Sequence, residues 1–241
     1  MIDFHSHVLP KLDDGSRSTK ESIDMMRRAV SQGITAMVAT PHFYADRETP
    51  KEFLKRREES WKRLREACEE EDGLLSLYSG AEVRMFPGVA GMEELPELAI
   101  KGTSYILLEM PFEVWSEGTF RTLNAIRNRG LYPIIAHIER YLSFQKGTQN
   151  IERLMRSDVL IQSNAEAFLK RFGGSRWAVR MLSQGRIHLL GSDCHNMTSR
   201  LPNLGDGINV VRRKLGEQKV QEIAQRAENI LGMAEKGAFG L

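Results

Sequence analysis

The chain has 241 residues, 41% of them hydrophobic and 27% charged, with a formal net charge of +2. That balance supports a buried core, and the length suits one α/β barrel spanning residues 1–241. It argues against nucleic-acid binding by bulk electrostatics, since no dense Lys/Arg block is present. No run of about 18 or more apolar residues marks a membrane span. The two cysteines, Cys68 and Cys194, form neither a CxxC pair nor a disulfide framework. With no signal-peptide pattern at the N-terminus, a cytoplasmic protein is expected.

The first strand is expected over Ile2–His7. Side chains alternate along a strand, so His5 and His7 point the same way and form a ready chelate. Asp13-Asp14-Gly15 reads as a loop, and Ser18-Thr19-Lys20-Glu21 as a capping box opening a helix that Gly33 ends. A second strand over Ile34–Thr40 stops at Pro41-His42, and Phe43 to Glu52 reads as loop. Phe53 to Asp72 reads as a long helix whose charges form a solvated face. Leu74–Ala81 is a strand running into Glu82. A Gly/Pro-punctuated stretch from Pro87 to Leu98 carries a short helix.

Further strands are expected at Tyr105–Leu108, ending at Glu109, and at Tyr132–Ala136, ending at His137. Two more are expected at Val159–Asn164, with a polar end, and at Ile187–Gly191, ending at Ser192-Asp193-Cys194-His195. Helices separate them at Gly118–Arg129, Asn150–Ser157 and Gly174–Gln184. Two more helices, Gly205–Leu215 and Glu217–Leu231, precede a loose Gly-rich tail from Gly232. Short apolar strands alternating with amphipathic helices imply a parallel sheet.

The ends of these strands carry the chemistry. His5, His7, His42, Glu82, Glu109, His137, Asp193 and His195 all end strands, and Asp14 lies in the first loop. In a parallel barrel those ends meet on one face. The donors are imidazole and carboxylate without thiolate, which suits manganese, iron or zinc in an open site. Nine donors exceed the roughly four to six that one ion takes, so two or three ions are implied, with a carboxylate such as Glu82 bridging. Such a cluster would attract phosphate and generate hydroxide near neutral pH.

Arg140 and Arg200 stand beside ligands and suit bidentate contact with phosphate oxygens. Cys194 faces away from Asp193 and His195 and is read as packing. His188, mid-strand and in no motif, is read as an ordinary satisfied surface or core histidine. Asp13 and Glu139 are expected in loops or behind the ligands, and Asp3 on the face opposite the chelate. Phe43, Tyr44, Phe86, Phe112 and Trp115 follow ligand-bearing strands and could flank a flat ring or pack the loop layer.

At His5-Ser6-His7, Asp13-Asp14-Gly15, Thr40-Pro41-His42, Gly80-Ala81-Glu82, His137-Ile138-Glu139-Arg140-Tyr141 and Ser192-Asp193-Cys194-His195-Asn196, the chain resembles the polymerase and histidinol phosphatase (PHP) superfamily. Within it, the chain is most similar to the manganese-dependent protein tyrosine phosphatases of bacterial capsule and exopolysaccharide operons, the CpsB/YwqE type. The resemblance implies a distorted seven-stranded (β/α) barrel with a metal site at the C-terminal ends of the strands. It implies one ion held by His5, His7, Glu82 and Asp193. A second would be held by Glu82, Glu109 and His137, and a third by Asp14, His42 and His195. Arg140 and Arg200 would bind phosphate. It further implies a metal-activated hydroxide attacking phosphotyrosine on a bacterial tyrosine autokinase that controls extracellular polysaccharide synthesis. The alternatives are a small-molecule phosphatase such as histidinol-phosphate phosphatase, or a nuclease of the same superfamily, which the near-neutral charge disfavours.

Overall fold

The computed structural model describes residues 1–170 and 174–232. The expected loose tail, residues 233–241, lies outside the described residues. The strands are β1 (Ile2–Ser6), β2 (Ala36–Ala39), β3 (His42–Phe43), β4 (Ser76–Ser79), β5 (Glu82–Arg84), β6 (Tyr105–Glu109), β7 (Tyr132–Ile135), β8 (Leu160–Asn164) and β9 (Leu189–Gly191). The helices are α1 (Thr19–Ser31), α2 (Pro50–Cys68), α3 (Glu117–Asn128), α4 (Gln149–Met155), α5 (Glu166–Leu169), α6 (Gly174–Ser183), α7 (Leu204–Leu215) and α8 (Glu217–Leu231).

All pairings are parallel, in the orders β1-β2-β4 and β3-β5-β6-β7-β8-β9. β3 and β5 continue β2 and β4 beyond kinks at Thr40-Pro41 and Gly80-Ala81. The ladder crosses the kinks, because Gly80 N–H donates to Ala39 O at 2.8 Å and Glu82 N–H to Pro41 O at 3.0 Å. Proline lacks an N–H, and its carbonyl still accepts. The expected seven strands are therefore present, two of them kinked. The ring closes where Asp193 N–H donates to His5 O (2.7 Å) and His7 N–H to Cys194 O (2.9 Å).

In-register neighbours share a face. Glu82 pairs with Leu107 and Leu107 with Ile134, so this row points where Glu82 points, into the barrel. Ile2, Phe4, Val38, Leu107, Ile134 and Leu189 form an apolar cluster closed off by Ala227, Ile230 and Leu231 of α8. The larger cluster fills the space between the sheet and the outer helices. Each fully buried aliphatic side chain contributes roughly 1.5–3 kcal/mol relative to exposure. The barrel floor is thus apolar, and the polar residues are confined to its mouth.

Local signals explain most boundaries. Ser18 caps α1 by accepting from Glu21 N–H at 3.1 Å. The Glu21 carboxylate, however, reaches Arg17 N–H at 2.8 Å rather than the cap, so the expected box is only half formed. α2 starts at Pro50, three residues before the expected Phe53, because Thr49 and Glu52 form a full capping box ahead of Pro50 at N1. In the stretch from Pro87 to Leu98 the expected short helix takes the form of two 3₁₀ turns, Val89–Gly91 and Leu95–Leu98.

Candidate metal centre

Glu82 stands at the middle of the mouth, fully buried. Its Oε2 lies 3.2 Å from His5 Nε2, 3.5 Å from His7 Nε2 and 2.9 Å from His42 Nδ1. Its Oε1 lies 2.7 Å from His137 Nε2. Asp193 Oδ1 lies 3.5 Å from His5 Nε2 and 3.4 Å from His7 Nε2. Asp14 Oδ1 lies 3.5 Å from both His42 Nε2 and His195 Nε2. Glu109 Oε1 is 3.9 Å from His137 Nε2. The nine expected donors thus form one connected cluster.

Among the described residues, three sets have donor atoms within 4.8 Å of one another: His5, His7 and Asp193; His7, Asp14, His42 and His195; and His42, Glu82 and Glu109. The first is the resemblance's first grouping without Glu82, and the second is its third grouping with His7 added. The third has His42 where the resemblance has His137.

The donor set fits cations. The Nε2 atoms of His5 and His7 face each other at 3.2 Å, with two carboxylates beside them. Among the described residues, His42 Nδ1, His137 Nδ1 and His195 Nε2 are buried without a hydrogen-bond partner. Unpaired buried polar atoms are costly, and lone pairs and carboxylates converging on one space call for positive charge.

A surrounding layer sets the imidazoles. His7 Nδ1 donates to Asp13 Oδ2 at 2.7 Å, and His195 Nδ1 to the Asp193 carbonyl at 2.9 Å, so each Nε2 faces the cluster and carries the lone pair when the ring is neutral. His137 N–H donates to Gln162 Oε1 at 2.7 Å, and that oxygen lies 3.3 Å from His5 Nδ1. Gln162 Nε2 donates to Asn164 Oδ1 at 3.0 Å, and Asn164 Nδ2 to Asp193 Oδ2 at 2.8 Å. Sequence reasoning left Gln162 and Asn164 unused. Their signal was the polar end of an otherwise apolar strand.

Backbone conformation aims two ligands. His137 and Asp193 both have positive φ, 30° and 54°, a region costing L-residues of order 1–3 kcal/mol. Gly15 folds the Asp13-Asp14 turn against His7, where a Cβ would meet the His7 carbonyl at 2.2 Å. Asp3 lies opposite the chelate as expected, through a register slip. Asp3 pairs with Met37 but Ser6 with Ala39, so Asp3 and Ser6 share one face and His5 takes the other. Asp3 Oδ1 accepts from Ser192 N–H at 2.8 Å and braces the closure, while burial pushes its carboxyl up to about 6.

Charge coupling is strong. Burial opposes protonation of His7, yet Asp13 and the cluster carboxylates hold its imidazole well above the ordinary range. Burial and the nearby Glu82 charge raise Glu109 to about 7. Burial would raise Asp193, but His5, the hydrogen bond to His7 and Arg140 hold it well below the usual carboxylate range.

Arg140 Nη2 lies 2.5 Å from Asp193 Oδ2 and Arg200 Nη2 2.8 Å from Asp193 Oδ1. Both guanidiniums remain about a third exposed (36% and 34%), so each keeps donors free. Glu139 accepts from Ser163 Oγ at 2.9 Å, behind the ligands. Of the aromatics, Phe43 and Trp115 are buried in the core. Tyr44 stacks on His42 (4.9 Å between centroids, planes 21° apart) and Phe112 on His137 (6.1 Å, 20°). Phe86 packs half-buried against the core. Cys194 is fully buried, and burial pushes its thiol far up.

Fold and site together define a parallel α/β barrel with a candidate metal centre at its mouth. Residues 1–232 match the family model for capsular polysaccharide synthesis proteins, CpsB/CapC, and the chain belongs to that family. It is 28% identical over 234 residues to the tyrosine-protein phosphatase YwqE of Bacillus subtilis, covering 96% of this chain and 91% of that protein. It is also 28% identical over 234 residues to the tyrosine-protein phosphatase CpsB of Streptococcus pneumoniae, covering 92% and 94%. A crystal structure described as one of the unique metal-dependent tyrosine phosphatases YwqE and CpsB superposes with a TM-score of 0.85 at 27% identity, covering 97% of this chain and 95% of that one.

Proposed function

We propose that this chain is a metal-dependent protein-tyrosine phosphatase. The observation that carries the reading is the Glu82-centred cluster of imidazoles and carboxylates with two arginines anchored on Asp193 beside it. The similarity to YwqE and CpsB supports it. The ligands are His5, His7, Asp14, His42, Glu82, Glu109, His137, Asp193 and His195, which hold two or three divalent ions, with manganese as the first choice. When bound, such ions supply the Lewis acidity that activates water near neutral pH.

The chain's own residues do the remainder. Arg140 and Arg200 direct the donors not used on Asp193 to the phosphoryl oxygens. Asp13 and the Asp193 carbonyl keep the His7 and His195 Nε2 lone pairs facing the cluster. Phe112, stacked on His137, offers a ring at the mouth for the substrate phenyl group. A phenol has a pKa of ~10, so phenolate departs with little acid assistance, whereas an alkoxide would need a general acid. The substrate is a phosphotyrosine-bearing protein, read as a bacterial tyrosine kinase of polysaccharide synthesis, in the cytoplasm. Cys68 and Cys194 are buried free thiols, in keeping with a reducing compartment.

The test compares hydrolysis of a phosphotyrosine peptide, a phosphoserine peptide, histidinol phosphate and single-stranded DNA with added manganese. The phosphotyrosine peptide is expected to turn over fastest. Faster turnover of histidinol phosphate would overturn the substrate class. Full activity after verified metal removal would overturn the metal-dependent chemistry.

A further inference from the structure

The mouth of the candidate centre differs on its two sides. Beyond His137 it is apolar: Phe144, 42% exposed, meets Phe112 edge-on with centroids 5.5 Å apart, and Val114, next but one to Phe112 in sequence, is exposed. Beyond His42 it is basic. The Arg47 guanidinium lies 4.4 Å from the Tyr44 ring centroid and the Arg84 guanidinium 5.4 Å from it. Tyr44 itself stacks on His42. Both arginines are exposed.

Neither is held in an ion pair among the described residues, although the Arg84 charge acts on the Glu109 carboxyl. Arg56 is paired with Glu48, and Arg140 and Arg200 with Asp193, whereas Arg47 and Arg84 have no carboxylate partner within 4.0 Å among the described residues. Asp46 and Glu48 sit in the same loop without pairing with either. A guanidinium stacks through its face and donates hydrogen bonds in its plane, so stacking on Tyr44 orders these two groups while leaving their donors available.

Their placement is continuous with the centre. Arg84 pairs in register with the candidate ligand Glu109 across β5 and β6. Arg47 lines a cavity of about 420 Å³ with Asp14, His42 and Tyr44, and Arg84 lines another of about 330 Å³ with Asp46 and Phe86. In an extended peptide anchored by its phosphotyrosine at the metals, successive residues advance about 3.3–3.6 Å, so near neighbours of the tyrosine reach this rim.

We propose that Arg47 and Arg84 form a subsite for acidic side chains flanking the phosphotyrosine of a peptide substrate. The proposal rests on the phosphatase reading above and adds a substrate preference to it. The guanidinium fork matches a carboxylate, whereas the Phe112, Val114 and Phe144 side chains offer one no donor, so the preference is one-sided along the peptide.

The experiment measures kcat/KM on the manganese-loaded protein. The substrates are phosphotyrosine peptides of equal length with Glu before the tyrosine, after it, or at neither place, with Gln replacing Glu. One Glu peptide is expected to exceed the Gln peptide by roughly five-fold, mainly through KM and less at high salt, the size of one or two exposed ion pairs. The ratio should fall to one or below in Arg47→Glu/Arg84→Glu. It should persist in Arg213→Glu/Lys214→Glu, an equal charge change at two exposed positions near the end of α7. Equal rates for all peptides, or a ratio that survives the double reversal, would overturn the subsite alone. No hydrolysis of any peptide by the unmodified, metal-loaded protein would overturn the phosphatase reading, and the subsite with it.

Discussion

Asp13 Oδ2 accepts the Nδ1 proton of His7 at 2.7 Å and, at 2.9 Å, the backbone N–H of His42. One carboxylate oxygen therefore sets the tautomer of one candidate ligand and the position of another. The Asp13 carboxyl is held far below the usual carboxylate range, because His7 and the His42 N–H outweigh burial. Asp13→Asn weakens the acceptor without changing shape. Partners of this kind typically contribute 10–100-fold to metal affinity, so a loss of about that size is expected by calorimetric titration with manganese, with circular dichroism unchanged. Unaltered affinity would mean that His7 is oriented by its packing alone.

The strand ends were legible because period-two alternation and parallel topology each constrain side chains strongly. His5 and His7 show the first and Glu82 and Glu109 the second. Asp13 was assigned only to a loop or outer position, since sequence spacing does not show that the turn folds back under His7. That turn depends on Gly15, at a contact too tight for a Cβ. Gln162 and Asn164 were illegible for a different reason. Their partners, His137 and Asp193, come from other strands, and amides at a strand end carry no pattern. α2 begins three residues ahead of the apolar stripe from Phe53, because the Thr49-Pro50-Lys51-Glu52 cap and not the stripe sets its start. Tyr44 and Phe43 are adjacent in sequence yet lie at the mouth and in the core, a separation that follows from β3 alternation.

Metal removal should destabilise the protein as well as silence it. Asp14, Glu82, Glu109 and Asp193 converge with five imidazoles, and the strain shows in Glu109, raised to about 7 by burial and by Glu82. Manganese at about 100 times its dissociation constant would add roughly 2.7 kcal/mol to folding stability. A melting temperature rising with manganese concentration and falling with chelator is the expected result. The pH sign follows from His7 and Glu109: both must lose protons to serve as ligands, and both are held above their ordinary pKa values. Apparent affinity should therefore rise with pH through neutrality, with proton release on binding. Calorimetry in buffers of different ionisation enthalpy reads that release directly, and zero release would refute the assignment.

Thiol chemistry makes a contrasting prediction. Cys194 lies between two candidate ligands in sequence, yet it is fully buried and its thiol is pushed far from ionisation by burial and by Asp3. Cys194→Ser should keep most of the activity, and alkylating agents should not inactivate the folded protein. His137→Ala removes an imidazole 2.7 Å from Glu82 and should abolish turnover while leaving the apolar barrel floor intact. Loss of activity in the serine variant, with metal content and fold preserved, would restore a nucleophilic cysteine.

His188 tests the division between site and scaffold. It is the histidine outside the cluster, and its Nδ1 accepts the Ile161 N–H at 2.9 Å between β8 and β9, so the fold requires a neutral ring. Burial, aided by the Arg226 charge, lowers its pKa to about 4, whereas an unfolded histidine titrates near ~6.5. Below ~6.5 the unfolded chain gains a proton that the folded one refuses, so stability should fall as pH drops toward about 4 and level off below it. Discounted for the ring's partial exposure, the effect between pH ~7 and ~5 is of order 1 kcal/mol. His188→Gln keeps an acceptor but cannot titrate. With metal removed from both proteins, so that ion binding does not contribute, the variant's melting temperature should fall less on acidification. Parallel curves for the two proteins would show that His188 is protonated in the folded state at little cost, and that the Ile161 hydrogen bond does not enforce its neutral form.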